Sequence, residues 1–330
     1  GSVCARAPLP SGVPAPERRH VSARRPFRRV PMSRLPPRAD RRRSGGSDES
    51  QQTTRLINRI LDEGEGRLKQ LRQVAVVKGL VNHHIRATVW PLLLSTSALR
   101  FDARRYARAG ERGHRDRDVV ACDVARSLWT FVGSAEADRP ELEMKRLALS
   151  RLLNACVGSD PHMGIHYYQG LHDIASVLLL VAGEEKAHFM LQHLARNHLR
   201  DCTRPDLRPV IESLELVFPL IKLVDADLHA FIEASGAPPH FALSWRLTWF
   251  AHEIKDLDQC ARVFDIFIAS HPVMPLYIGV ASLIAARHRI LAVECDFPPV
   301  HQVLQRISVT DEVPLVEIIG KALRMYKDHP

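Results

Sequence analysis

The chain has 330 residues, of which 45% are hydrophobic and 25% charged, an ordinary globular composition that excludes a fibrous or wholly disordered protein. Its formal net charge of +9 is concentrated in residues 1–50, which hold twelve Arg and four acidic residues, so the rest of the chain carries 34 basic and 33 acidic side chains. The folded part is therefore nearly neutral, and a nucleic-acid-binding face on it is not implied.

Residues 1–50 also contain eight prolines, no lysine and no periodic apolar pattern. Such a segment cannot bury enough surface to offset the entropy of ordering, so we predict that it is disordered. A transit peptide would also be rich in Arg, but proline at this density opposes the amphipathic helix that such peptides form. No signal peptide is visible. Six scattered cysteines without a C-x-x-C pair indicate reduced core residues of a cytoplasmic protein.

From Thr53 onward the apolar residues recur at helical spacing. Lys78-Gly79 is a plausible helix stop, Asn82 is placed to cap the next helix, and Pro140 is placed to open another. The apolar run 263–286 is read as two buried helices broken at His271–Pro275 rather than as a membrane span. With no alternating strand and no fixed-period repeat, we predict an all-α protein with one multi-helix domain over 51–330. Further helices are predicted over 183–200, 207–233, 241–254, 261–270, 276–287, 300–307 and 313–326.

Three segments carry side chains that could do chemistry. Arg86 and Trp90 are four residues apart on a predicted helix, where the Arg stem can cover the indole. On the predicted helix 119–131, Asp123 lies at the edge of an apolar stripe and Arg126 lies farther round. Spacing alone favours a surface ion pair for Asp123 and Arg126. An Arg is also one of the side chains that phosphoryl transfer uses on a nucleoside triphosphate.

The third segment is Tyr167-Tyr168-Gln169-Gly170, where a helix is predicted to begin near the tyrosines. Gln169 would then lie in the first turn of that helix, beside a small residue that lets another chain approach. A Gln with a free amide at a helix start is the plain interpretation, and a Gln that orients a hydrolytic water is the functional one. The histidines show no zinc-ligand spacing, so no metal site is predicted.

Taken together and in order, these segments resemble the three signature segments of the TBC-domain Rab GTPase-activating proteins. Val120-x-x-Asp123-x-x-Arg126 departs from the family pattern only at Val120, where the family prefers Ile. Farther along, the segments 247–250 and 263–272 resemble the later tryptophan and aspartate segments of the family. The similarity covers roughly residues 53–327. It implies a TBC domain made of two helical subdomains.

The resemblance also implies a role for each residue. Arg126 would enter the nucleotide site of a Rab GTPase in trans, an effect worth about 10³–10⁵ in rate, and Gln169 would position the water. GTP and Mg²⁺ would belong to the Rab, so the chain would need no cofactor of its own. Support for these two residues would come from Asp123, Arg86, Trp90, Tyr167, Tyr168 and Gly170.

The segments 167–174, 247–250, 263–272 and 275–277 resemble one family branch in particular, that of TBC domain family member twenty. This branch implies a GTP-bound early secretory Rab as partner, a role in vesicle trafficking and a place on the cytosolic face of endoplasmic reticulum or Golgi membranes. The protein would contact the membrane only peripherally or through an anchor outside this chain. Two alternatives stay open: a catalytically silent scaffold that binds a Rab as an effector, and a purely structural helical interaction module.

Overall fold

The computed structural model of the chain describes residues 43–64, 66–132, 139–159 and 164–330, with side chains described from residue 48 onward, and every regular element in these ranges is a helix. The prediction of an all-α protein is confirmed, and residues 44–330 form one compact unit. The helices are α1 (Arg43–Asp62), α2 (Arg67–Val77), α3 (His83–Leu93), α4 (Ala103–Glu111), α5 (Arg117–Ala125), α6 (Trp129–Val132), α7 (Arg139–Val157), α8 (Leu171–Ala182), α9 (Glu184–Arg196), α10 (Arg208–Leu214), α11 (Val217–Val224), α12 (Ala226–Ala234), α13 (Leu243–Thr248), α14 (Leu257–Ala269), α15 (Met274–Ala285), α16 (Arg287–Leu291), α17 (Phe297–Gln305) and α18 (Leu315–Asp328).

The first helix begins before the predicted domain boundary. Helix α1 begins at Arg43, so the boundary placed at residue 50 falls inside a helix. The stretch from Ser44 to Gln52 contains neither Pro nor a β-branched residue, so no steric block stops the helix from extending toward its N-terminus, although Gly45 and Gly46 are weak helix formers. The predicted disorder of residues 1–42 lies outside the described residues.

Local signals fixed several helix ends as predicted. The Asn82 side chain accepts a hydrogen bond from the Ile85 backbone amide at 2.9 Å and so caps α3. Helix α2 ends at Val77, and Gly79 follows with a φ of 83°. Helices α14 and α15 are separate, as predicted from the break at His271–Pro275. No helix in the described ranges is both long enough and apolar enough to cross a membrane.

The predicted long helix over 207–233 was wrong, because this stretch forms the three helices α10, α11 and α12. Pro219 has no amide hydrogen and clashes with the carbonyl four residues earlier, so it is accommodated only in the first turn of a new helix. Asp225 then caps α12 by accepting a hydrogen bond from the Leu228 amide at 2.9 Å. The helix predicted over 241–254 is likewise shorter, since α13 ends where Trp249 and Phe250 adopt positive φ.

Helix α8 lies at the centre of the unit and packs against α3, α5, α7, α9, α13 and α14. Nearly every one of its residues is buried, as expected for a helix that is apolar on all sides. The backbone that leads into α8 is therefore held by neighbours on several sides. This arrangement places the turn before α8 next to the end of α5 and to α13.

Candidate functional site

Arg126 lies at the C-terminal end of a helix. The sequence had predicted a longer helix over 119–131, with Arg126 in its middle. Helix α5 stops at Ala125, and the Ser127 hydroxyl donates a hydrogen bond to the Asp123 carbonyl at 2.6 Å. Leu128 then adopts a left-handed backbone conformation with a φ of 71°, which turns its side chain into the core. Helix α5 therefore ends before Arg126, whose side chain is exposed.

The Arg126 guanidinium is exposed but anchored. Its Nη2 donates a hydrogen bond to Asp123 Oδ1, and the two side chains are 59% and 2% exposed, respectively. An ion pair with one partner buried differs from the solvated surface pair that the spacing alone favoured. The Arg126 Nε and Nη1 atoms have no protein partner in the described part of the chain. They are therefore available to an anion in front of the site.

Asp123 connects Arg126 to the segment that carries Gln169. The Tyr167 hydroxyl donates a hydrogen bond to Asp123 Oδ2 at 2.7 Å and lies 3.0 Å from His172 Nδ1. Burial and the hydrogen bond to Asp123 raise the pKa of Tyr167, so the hydroxyl keeps its proton and remains a donor. Burial lowers the pKa of His172, which favours its neutral form. His172, which the sequence left as an ordinary core or surface residue, is thus part of this network.

Gln169 lies in the turn that precedes α8, two residues before the helix starts, and not in its first turn as predicted. The reason is Gly170, whose φ of 120° is not helical. A Cβ atom on Gly170 would stand 3.1 Å from Thr248 Cγ2, so glycine suits this position in both backbone angle and space. The Gln169 side chain is exposed and has no hydrogen-bond partner among the described residues.

Arg126 and Gln169 line the same open groove, which has a volume of about 850 Å³. Its walls come from the chain after α5, the turn before α8, and the segment from the 3-10 turn at Pro239–Ala242 through Lys255. Trp129 is exposed in this groove, and the Arg146 guanidinium lies 4.5 Å from the centre of its ring. Arg146 also donates hydrogen bonds to the Ser127 carbonyl at 3.3 and 3.4 Å, so it fixes the loop after Arg126.

Three polar groove residues were not found from the sequence. His252 Nδ1 lies 3.5 Å from Asp173 Oδ2, and this interaction raises the pKa of His252. Glu253 accepts a hydrogen bond from the Ser244 hydroxyl, while its Oε2 is buried without a partner among the residues that the structure describes. Burial raises the pKa of Glu253. No sequence pattern marks these residues, because His252 and Glu253 lie in an irregular segment and Asp173 is a single carboxylate in the first turn of α8.

The other predicted site residues lie elsewhere. Arg86 and Trp90 do not line the groove but donate hydrogen bonds to the fully buried Asp265. Tyr168 is buried in the core, and its hydroxyl has no partner among the described residues. Within the same ranges, no three His, Cys, Asp or Glu side chains are grouped so that they could hold a metal ion.

Comparison with known proteins gives a family match. The model of the Rab-GTPase-TBC domain matches residues 83–291. The chain is 31% identical over 282 residues to TBC1 domain family member 20 of Mus musculus, covering 83% of this chain and 67% of that protein. It is 32% identical over 199 residues to the GTPase-activating protein gyp10 of Schizosaccharomyces pombe, covering 60% of this chain and 52% of that protein.

Among solved structures, the chain resembles the Chlamydomonas flagellar RabGAP TBC domain, with a TM-score of 0.66 and 17% identity. This match covers 87% of this chain and 94% of that domain. At this identity the likeness concerns the fold. The chain spans about two thirds of the length of TBC1 domain family member 20 and about half that of gyp10.

Proposed function

The chain belongs to the Rab-GTPase-TBC domain family, and we propose that it accelerates GTP hydrolysis by Rab-family GTPases, with Arg126 and Gln169 supplied in trans. One observation carries the proposal: the two side chains line one open groove from two different segments. Phosphoryl transfer needs a cation that neutralises the charge of the transition state and a polar group that orients the water. The names of the relatives, a GTPase-activating protein among them, agree with it.

In this proposal Arg126 enters the nucleotide site of the bound Rab. Its anchored Nη2 gives the guanidinium a fixed direction, while Nε and Nη1 remain free to donate to the phosphoryl oxygens. A guanidinium held in advance loses less entropy on reaching the transition state than one that swings freely. The planar guanidinium can donate two parallel hydrogen bonds to a phosphate, whereas a Lys ammonium at this position cannot.

Gln169 orients the attacking water and takes the place of the switch glutamine of the Rab. Its position in a turn held by Gly170 and the buried start of α8 supports this role, because an amide must be placed closely to select one water geometry. The Tyr167 hydroxyl positions Asp123 and so couples the two catalytic side chains. Exposed Trp129, braced by Arg146, offers an apolar surface on which the switch region of a Rab packs.

GTP and Mg²⁺ arrive with the Rab, and the chain contributes side chains but no cofactor. The preferred partner is a GTP-bound Rab of the early secretory pathway, met on the cytosolic face of the endoplasmic reticulum or Golgi. The similarity to TBC1 domain family member 20 and the resemblance of the segments 167–174 and 247–275 to that branch support this choice.

The test is a single-turnover GTPase assay over a panel of early secretory and endosomal Rabs at one salt concentration. We expect at least one early secretory Rab to respond, and Arg126→Ala to lower the stimulated rate by about 10³-fold or more. Arg55→Ala is the matched control, because Arg55 is an exposed arginine of α1 outside the groove. If a Rab binds with no acceleration by the wild-type chain, the silent-scaffold alternative is correct and this proposal fails.

A further inference from the structure

A second cleft lies away from the groove and shares no lining residue with it. It has a volume of about 630 Å³ and is formed by the connection before α4, by α4 itself and by α9. An aromatic floor underlies it, in which the Tyr106 and His188 rings meet edge to face at 4.8 Å and Phe101 packs on Tyr106 at 5.1 Å. The cleft is within the usual size range of small-molecule sites.

The rim of this cleft is strongly cationic. On α4, Arg105 and Arg108 are three residues apart and share one helix face, and Arg112 lines the cleft from the position just after the helix ends. Arg100 from the preceding connection and Arg196 from the end of α9 complete the set. None of the five makes an ion pair in the described ranges, although several like charges in one cleft repel each other.

The carboxylates near the cleft offset only a small part of this charge. Asp102 lines the cleft, where its Oδ1 accepts hydrogen bonds from the Arg104 and Arg105 backbone amides and so caps α4, and its single negative charge faces five arginines. Behind the floor, Glu184 is bound by Arg151 at 2.7 Å and by the Tyr106 hydroxyl at 2.8 Å. The excess positive charge therefore faces the open cleft.

The α9 wall adds buried polar atoms that lack a protein partner. His188, Gln192 and Arg196 follow each other at four-residue spacing and all face the cleft. His188 is 8% exposed, and its Nδ1 and the Arg196 Nε are both buried without a hydrogen-bond partner in the described part of the chain. Buried polar atoms are normally satisfied, so these two atoms are suited to bond a polar group that enters the cleft. Burial, with Arg105 and Arg196 close by, lowers the pKa of His188 to about 4 and keeps it neutral at pH 7.

We propose that the cleft between α4 and α9 binds a small polyanion that carries several phosphate groups, such as a phosphorylated inositol ring. Several guanidinium groups around one cavity match several phosphates, since each planar fork can donate two parallel hydrogen bonds to one phosphate. The aromatic floor can accept the C–H face of a polyol ring between the phosphates. The ligand could be a free metabolite or the headgroup of a lipid, and both sources present the same chemistry.

The experiment measures binding of inositol hexakisphosphate to the full chain by calorimetry at about 0.15 M salt. We expect one site per chain. The double variant Arg105→Gln with Arg196→Gln should weaken binding by at least about tenfold, because two charge-assisted contacts are lost. Arg108→Gln is a second, independent variant with the same expected direction. Arg104→Gln is the matched control, since Arg104 is an exposed arginine of the same helix outside the cleft, and it should change the dissociation constant by less than about twofold.

A flotation assay distinguishes the two sources of the ligand. Phosphatidylcholine vesicles with and without phosphatidylinositol bisphosphate are mixed with the wild-type chain and the double variant. Specific flotation with the phosphorylated lipid assigns the cleft to a headgroup, whereas soluble binding without flotation assigns it to a free inositol phosphate. The proposal is overturned if neither probe binds, or if Arg104→Gln weakens binding as much as the double variant does. Because no Rab is present, these results do not depend on the GTPase-activating function.

Discussion

Asp265→Asn should strongly destabilise the fold while leaving the groove intact. Asp265 is fully buried and accepts hydrogen bonds from the Leu80 amide at 3.0 Å, from Arg86 Nε at 3.1 Å and Nη2 at 3.2 Å, and from Trp90 Nε1 at 2.8 Å. A carboxamide offers a single oxygen with two lone pairs, so at least two of these four donors lose their acceptor. The buried Arg86 charge also loses its main counter-ion.

The expected loss of stability in Asp265→Asn follows from the burial of both Asp265 and Arg86. A buried ion pair adds little net stability compared with an apolar pair, but the removal of one partner leaves an uncompensated charge and costs about 3–5 kcal/mol. For a domain of this size, that loss lowers the melting temperature by roughly 6–20 °C. Urea unfolding followed by circular dichroism gives the free energy of unfolding, and a thermal scan gives the melting temperature.

Asp258→Asn is the matched control for this prediction. Asp258 also contacts Arg86, at 3.5 Å from Nη1, but its side chain is 76% exposed, so its loss should cost less than about 1 kcal/mol. The reasoning is refuted if Asp265→Asn costs less than about 1 kcal/mol, or if the two variants cost the same. Well below its melting temperature, the Asp265→Asn protein should stimulate a responsive Rab at the wild-type rate, because neither Arg86 nor Trp90 lines the groove.

Three further predictions concern the groove. Gln169→Ala should lower stimulated hydrolysis about as much as Arg126→Ala, and a Rab without its switch glutamine should stay responsive; a Rab variant that binds but no longer responds would contradict this role. Gly170→Ala should cost about 1–3 kcal/mol in urea unfolding, more than Gly183→Ala, where φ is also positive but the added Cβ would meet no atom of the described residues within 4 Å. Asp173 raises the pKa of His252. The contribution of this pair to the free energy of unfolding is therefore complete below about pH 6.5 and is lost as the pH rises through the folded-state pKa of His252. His252→Gln should therefore reduce the change of the urea unfolding midpoint with pH between about pH 6 and 8. If the midpoint of the variant changes with pH as steeply as that of the wild type, the His252–Asp173 pair does not have this role.

Local signals in the sequence predicted much of the fold. Helix existence followed from apolar spacing, and the cap at Asn82 and the break between α14 and α15 followed from residues within a few positions of each helix end. The stretch 207–233 divides into three helices because Pro219 and Asp225 are themselves helix-start signals. Apolar periodicity continues through both residues and so does not mark these boundaries.

The remaining features depend on contacts between distant segments. Helix α5 ends before Arg126 because Leu128 reaches the core through a left-handed backbone, which no propensity indicates. The resemblance implied a supporting role for Arg86 and Trp90, but their shared buried partner Asp265, about 175 residues away along the chain, could not be identified from spacing. The cationic cleft was not found either, because it exists only where α4 meets α9, and α4 itself was not predicted.

The central claim is that Arg126 and Gln169 act in the transition state of GTP hydrolysis. The most direct measurement is the affinity of the chain for a GDP-bound responsive Rab with and without aluminium fluoride, which mimics the transferring phosphoryl group. Transition-state mimics bind at least about 10²-fold more tightly than ground states when the catalytic groups are present. We predict that gain for the wild-type chain and its loss in Arg126→Ala and in Gln169→Ala. Equal affinities with and without fluoride in the wild type, or an unchanged gain in either variant, would contradict the account.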